Sequence, residues 1–330
     1  MHIMPLNKKK SISVVVPLFN EEKSIRSFHK SLVEVLSRTK LEFEIVYVDD
    51  GSIDDTANVI NKFKDKRVKL VALSRNFGKE IALSAGVATG KYEAIIMLDG
   101  DGQHPVELIP EFISQWQSGS DVVIGLRKAS SGRSALGRMN SYLFYKLFNL
   151  ISGQKLIPES TDFRLIDRDV ADEFNKISED HRMTRFLIDW LGFDRSYVNF
   201  DAKKREHGEA SYSTGKLINL AFNSMISSSP KPLYFFAYLG VMICLLSLFL
   251  GIAVILEQLI LSDPLGWKFT GTAMLGILII FLVGIVLMSQ GIISVYISRI
   301  HNQSKGRPLY VVNKRKSVGL SSQKILKYKS

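Results

Sequence analysis

Two aspartates one residue apart, Asp99 and Asp101 in the stretch LDGDGQHP, are the first residues in this sequence that could do chemistry. Asp and Gly are common turn formers, but a turn needs only one such pair. Carboxylates at i and i+2, with only Gly100 between them, bring up to about four hard oxygens to one place. That donor set suits Mg²⁺ or Mn²⁺ shared with substrate phosphates. On this stretch alone a turn and a metal site weigh equally. Three more polar clusters raise the same question: PLFNEE from Pro17, DDGS from Asp49 and SRNFGK from Ser74.

Each cluster ends an apolar run, and those runs are the elements that must position it. SISVVVP (Ser11 to Pro17), FEIVYVDD (Phe43 to Asp50), VKLVALS (Val68 to Ser74), YEAIIML (Tyr92 to Leu98) and DVVIGLR (Asp121 to Arg127) predict buried strands. Helical segments alternate with them. One runs through Arg38, one is opened by Asp54 or Asp55 as N-cap, one is KEIALSAGVA, and one begins near Pro105. Repeated βα units with nearly continuous apolar strands imply a mostly parallel α/β sheet covered on both faces. Ligands of such sheets bind beyond the carboxyl ends of the strands. Four strand ends delivering acids, amides and bases to one rim exceed what turns require, and a site outweighs four turns.

Two nucleotide motifs are excluded. GVATGK (Gly86 to Lys91) has three residues where a P-loop has four, carries Tyr92 where Ser or Thr belongs, and runs from helix into strand. GDGQHP has Pro105 in place of the third glycine of a dinucleotide fingerprint.

Composition divides the chain of 330 residues unevenly. No charged residue occurs from Phe235 to Leu256 or from Phe269 to Ile297. At about 1.5 Å per residue each run exceeds the roughly 30 Å of a bilayer core. The connection from Glu257 to Lys268 reads as an interfacial turn, so the pair predicts a transmembrane hairpin. Nine basic residues and no acid follow Ile297, which sets both chain ends in the cytoplasm and makes the formal charge of +11 a membrane-surface signature. Nucleic acid is therefore not an expected partner. Leu217, Ile218, Leu220, Phe222 and Met225 alternate with polar residues as on an interfacial amphipathic helix. The expected organisation is a cytoplasmic catalytic domain over 1–210, an interfacial region over 211–232, two membrane helices over 233–298 and a basic tail over 299–330. Met1 to Lys10 lacks the apolar core of a signal peptide, and the one cysteine, Cys244, excludes disulfides within the chain.

With these residues in place the chain resembles the family 2 inverting glycosyltransferases of GT-A fold. More narrowly it resembles the polyprenyl-phosphate glycosyltransferases, the group of dolichol-phosphate mannose synthase and the bacterial GtrB-type enzymes. The motifs that carry this are VVVPLFNEE, VDDGSIDDT, LSRNFGKEIALSAG, LDGDGQHP, TDFRLIDR (Thr161 to Arg168) and KREHGEASYS (Lys204 to Ser213). Gly100 stands where relatives often carry alanine, a difference expected to change little.

The resemblance implies roles. Pro17, Phe19 and Glu21 would border the nucleotide base and ribose, with Asp49 and Asp50 close by. Asp99 would contact the ribose or metal-bound water, and Asp101 and Gln103 would bind Mg²⁺ or Mn²⁺ on the diphosphate, so that Asp99, Asp101 and Gln103 form the metal set. Arg127 and Arg138 are candidates for phosphate contacts, since guanidinium suits bidentate phosphate recognition. Asp162 would be the catalytic base or orient the acceptor; a phosphate monoester with a second pKa of about 6 needs little deprotonation at neutral pH. Arg164, Lys203, Lys204 and Arg205 would hold the acceptor phosphate. His104 is expected at a helix start and not as a ligand, and Phe222 in packing. The implied reaction moves one sugar from a nucleotide-sugar to polyprenyl phosphate at the inner-membrane face. UDP-glucose ranks first among donors, before UDP-N-acetylglucosamine and GDP-mannose. Relatives with this hairpin point to a homo-oligomer. A processive polysaccharide synthase ranks second, because this chain lacks QxxRW and the many helices of an export path. A non-catalytic nucleotide-binding scaffold ranks third, because Asp99, Asp101 and Gln103 are all present.

Overall fold

The computed structural model describes residues 10–127, 159–179, 182–201 and 271–320, together with Tyr238, Met242, Ile243, Leu245 and Phe249. These fall into two units. One holds the mixed α/β part and the chain from Arg307 onward; the other runs mainly from Tyr212 to Gly306.

The strands of the first unit are β1 (Ser11–Leu18), β2 (Glu42–Asp49), β3 (Val68–Ala72), β4 (Ala94–Met97), β5 (Val122–Arg127), β6 (Ser160–Asp167) and β7 (Arg195–Phe200). They form a seven-stranded sheet in the order β3-β2-β1-β4-β6-β5-β7. β1, β2, β3 and β4 pair in parallel, as do β5 and β7. β6 is antiparallel to both neighbours, β4 and β5. The sheet is thus mostly parallel, with one reversed strand inside it.

Alternation along the strands builds two cores. Ile12, Val14 and Val16 join Ile45, Tyr47, Phe163 and Leu165 beneath α1 (Ile25–Arg38), α2 (Thr56–Asn61) and α4 (Ile109–Gln117). Val15 joins Val46, Val48, Met97 and Ile166 beneath α3 (Lys79–Thr89), α5 (Arg168–Lys176) and α6 (Thr184–Trp190). Apolar side chains on both faces explain the uninterrupted hydrophobic runs, since a strand covered twice has no solvent face to make polar. The helix expected near Pro105 begins as a short 3₁₀ turn, Val106–Leu108, and continues as α4. Asp55 takes the N-cap position of α2 without a side-chain cap, while Asp54 Oδ1 accepts the Thr56 N–H at 3.0 Å.

The basic tail was expected as a separate region. The structure instead docks its described part on the exposed edge of β3. Leu70 and Val318 exchange backbone hydrogen bonds of 3.0 Å, and Asn313 N–H donates to Ala72 O at 2.7 Å. Antiparallel bridges join Leu70 to Val318 and Leu73 to Val312. A free edge strand invites stray pairing, and this segment covers it.

In the second unit, α7 (Gly271–Ser304) takes in the charge-free run from Gly271 to Ile297. Among the described residues it is the one helix long and apolar enough to cross a membrane; Phe281–Ser298 has a mean hydropathy of 1.9. The other expected membrane run, Phe235 to Leu256, and the interfacial segment 211–232 lie mostly or wholly outside the described residues. The two-helix hairpin is therefore not established by the fold, which supplies one such helix.

Candidate active site at the strand ends

The loops after β1 and β2 are stapled to each other. Asn20, in the left-handed region at φ 57°, donates its N–H to Ser52 Oγ (2.9 Å) and accepts the Ile53 N–H through Oδ1 (3.0 Å). Asn tolerates that conformation better than most residues. Glu21 N–H donates to Thr56 Oγ1 at 2.8 Å, and Glu22 and Asp54 bond across the same seam. The β2 loop in turn braces the β3 loop. Asp50 accepts the N–H groups of Phe77 and Gly78 at 2.7 and 2.8 Å. Burial raises the Asp50 pKa against the pull of those two amides. Gly51, at φ 70°, lies so close beneath this loop that a Cβ there would sit 2.3 Å from the Arg75 carbonyl carbon. Only glycine meets both demands.

These loops enclose a cavity of about 300 Å³ at the carboxyl ends of β1 and β4. Of the residues expected there, Pro17, Phe19, Glu21, Asp50, Asp99 and Asp101 line it. Gln103 does not, although its N–H donates to Asp101 Oδ1 at 3.0 Å and so orients that carboxylate. Asp49, expected close by, is 3 % exposed and does not line the cavity; it accepts the Ser52 N–H and braces its own turn. Arg127 is exposed at the end of β5, outside the cavity wall. Arg138, Lys203, Lys204 and Arg205 lie outside the described residues.

β6 brings the second signature to this rim. Met97 pairs with Arg164 across the antiparallel ladder, so one step of two residues along each strand sets Asp162 against Asp99. Lys79, the first residue of α3, closes the pair: its Nζ is 2.7 Å from Asp99 Oδ1 and 2.6 Å from Asp162 Oδ2. Burial alone would lower the Lys79 pKa, but the charges of Asp99 and Asp162 outweigh it and raise it. Burial opposes ionisation of Asp162 as well, yet Lys79, Arg185 and Arg164 hold its carboxyl below the usual range. Asp162 Oδ1 is buried and has no hydrogen-bond partner among the described residues.

Arg164 corrects the expectation of an acceptor-phosphate contact. Two residues beyond Asp162, it shares that residue's face of β6 but points into the layer of α6, and it is 1 % exposed. Its Nη1 donates to Asp189 Oδ1 (2.8 Å) and Arg185 O (3.0 Å), and its Nε to Thr161 O (3.1 Å). A guanidinium so enclosed is a bracket for the Asp162 loop. His104 acts in the manner expected of a structural histidine: Nδ1 accepts the Asp99 N–H at 3.0 Å, and the ring stacks on Phe163 with centroids 5.3 Å apart. Burial lowers its pKa, against Asp99, which keeps that nitrogen an acceptor. Gly100 is not neutral to substitution. An added Cβ would meet Leu18 Cδ2 at 2.4 Å, so alanine requires that buried side chain to shift.

Lys79 and Glu80 are the residues that sequence reasoning missed. Glu80, half-buried, accepts the Thr184 N–H at 2.7 Å and ties α3 to α6. The signal for Lys79 was its position at the end of the SRNFGK cluster, the second basic residue past the end of β3 after Arg75 and directly behind Gly78.

Among the described residues no cluster of three or more His, Cys, Asp or Glu side chains is arranged to hold a metal ion. Asp99 and Asp101 in one cavity fit instead the partial, all-oxygen set that Mg²⁺ or Mn²⁺ completes with phosphates and water.

The family description "Glycosyl transferase family 2" matches residues 13–174. An uncharacterized glycosyltransferase of Synechocystis sp. is 38 % identical, over 92 % of this chain and 94 % of that protein. The bactoprenol glucosyl transferase of Shigella phage SfV is 36 % identical, over 92 % of this chain and 99 % of its own length. The glycosyltransferase YkcC of Bacillus subtilis is 34 % identical, over 95 % and 96 %.

Proposed function

Because the chain belongs to glycosyl transferase family 2, we propose that it transfers one glucose from UDP-glucose to a polyprenyl phosphate at the cytoplasmic face of a bacterial inner membrane. The observation that carries this reading is the cavity where Asp99 and Asp101 stand together while Lys79 ties Asp99 to Asp162. The bactoprenol glucosyl transferase relatives support both the sugar and the lipid. α7 and the charge-free run from Phe235 support a multi-pass anchor.

In this reading Phe19 and Glu21 border the nucleoside, and Asp99 and Asp101, with Gln103 beside them, would hold Mg²⁺ or Mn²⁺. The bound ion supplies charge that offsets the departing nucleoside diphosphate. Asp162 is ionised by its basic neighbours, and the acceptor phosphate is already largely dianionic at neutral pH. Proton abstraction is therefore a minor need. Asp162 positions: one oxygen is anchored by Lys79, and the buried, unpartnered Oδ1 is left to receive a donor group of the incoming sugar. The acceptor oxygen attacks the anomeric carbon from the face opposite the diphosphate, which inverts the configuration. Arg138, Lys203 and Arg205 are the candidates to neutralise the acceptor phosphate. A polyprenyl phosphate presents its charged end at headgroup level, which gives a membrane anchor a purpose that a soluble acceptor would not.

The test is direct. Purified full-length protein in detergent, given labelled UDP-glucose, undecaprenyl phosphate and Mn²⁺, should yield label that partitions into organic solvent. Label found only in a water-soluble product overturns the lipid acceptor. Transfer from UDP-N-acetylglucosamine or GDP-mannose in preference overturns the sugar.

A further inference from the structure

The Lys79 ammonium is a cation in contact with a carboxylate expected to face a metal. Its two partners are partly enclosed, with Asp99 at 23 % and Asp162 at 16 % side-chain exposure, whereas Lys79 itself is 43 % exposed at the end of a flexible stem. It is also the first residue of α3, where the helix dipole disfavours positive charge. Two carboxylates hold it there against that dipole. A divalent cation approaching Asp99 meets a positive charge already in contact with the oxygen it needs. A nucleoside diphosphate entering the same cavity changes the balance, because it brings new anionic oxygens within reach of the same ammonium.

Resting on the metal reading of Asp99 and Asp101, we propose that Lys79 is a resident counter-ion that stands in for the metal. It neutralises Asp99 in the empty site, then exchanges that carboxylate for the diphosphate while keeping Asp162, so that metal and nucleotide enter together. Nothing covalent changes; one ion pair is traded for another. The arrangement serves two ends. Carboxylates at 99 and 162 do not face each other uncompensated before the donor arrives, and a stray divalent ion alone gains little by binding. Lys79 is in this account a positioning residue for metal and donor, and its signature is thermodynamic coupling between them.

Mn²⁺ binding to full-length protein, followed by the loss of the free-ion paramagnetic resonance signal, tests this without turnover. For wild type, Mn²⁺ alone should bind weakly and saturating UDP should tighten it strongly. For Lys79→Gln, Mn²⁺ alone should bind about tenfold tighter, equivalent to ~1.4 kcal/mol, and the tightening by UDP should shrink by a similar factor. The double variant Lys79→Gln/Asp162→Asn removes the carboxylate repulsion left by the single change and should retain the tighter Mn²⁺ binding. Thermal unfolding reports whether each variant is folded. Folded Lys79→Gln or double variant with wild-type Mn²⁺ affinity and an unchanged UDP effect overturns the exchange. A distinct result, wild-type Mn²⁺ binding in Asp101→Asn with UDP present, removes the metal site beneath it.

Discussion

Arg164→Ala separates a structural bracket from a substrate contact. The substitution removes a guanidinium that is 1 % exposed and leaves the Asp189 carboxylate, 11 % exposed, without its nearest cation. It also removes the hydrogen bonds that Arg164 donates to the carbonyls of Thr161 and Arg185. Removing one member of a buried ion pair costs about 3–5 kcal/mol. In a domain of this size each kcal/mol moves Tm by about 2–4 °C, so a fall of about 6–20 °C is expected. Arg195, 3.9 Å from Asp189, is too far and too exposed to replace the lost partner fully, which favours the upper part of that range. The partner experiment is Arg164→Met with Asp189→Leu, which replaces the pair by apolar groups and should recover most of the loss, since buried pairs are close to neutral against such isosteres. Thermal unfolding of detergent-purified protein reads the stability, and initial rates against undecaprenyl phosphate read the site. Turnover of the single variant should fall through displacement of Asp162, because the Arg164 Nε bond fixes Thr161 beside it. An unchanged Tm with a raised acceptor KM would refute the bracket and restore Arg164 to the acceptor.

Three further outcomes are expected. Asp101→Asn should retain the fold and lose transfer by at least about a hundredfold, and EDTA should stop the wild type until Mg²⁺ or Mn²⁺ is returned; full activity after thorough chelation rejects metal dependence. Gly51→Ala should cost more than about 2 kcal/mol, from the left-handed backbone and from the 2.3 Å approach to Arg75, and should weaken UDP binding by shifting Asn76 and Gly78; unchanged urea unfolding would refute the close approach. His29, stacked on Phe63 and bonded to the Tyr47 hydroxyl at 3.0 Å, has its pKa lowered first by burial, with Arg67 adding and Asp65 opposing. Its folded pKa lies below the unfolded 6.5, so its contribution is present above that value and lost as pH falls beneath it. Urea unfolding between pH 7.5 and 5.5 should show a drop in stability that His29→Phe diminishes, and equal slopes would count against it.

The strands were legible because a sheet covered on both faces leaves runs such as SVVV and IVYV with no polar interruption. The rim was legible because polar clusters could only be strand ends. β6 was less so. TDFRLID is recognisable as a signature, but its reversed pairing between β4 and β5 is a contact across many residues that no local pattern encodes. Once that pairing is known, period-two alternation puts Asp162, Arg164 and Ile166 on one face and Phe163 and Leu165 on the other, and Arg164 becomes an interior residue. The bracing roles of Asp49 and Asp50 were hidden for a similar reason. Their donors are backbone amides of turns, which the side-chain sequence does not display.

The strand pairing of the tail with β3 has a consequence for topology that is arithmetic. A chain that leaves a folded domain near Ser211 and returns to it at Arg307 must start and finish on the same side of any bilayer it enters. The number of passages between those points is then even. The proposed multi-pass anchor, with the charge-free run Phe235 to Leu256 beside α7, meets that condition. A few hydrogen bonds at the margin of a sheet thus bear on membrane topology: were α7 a lone crossing, Val318 would be stranded across the bilayer from Leu70.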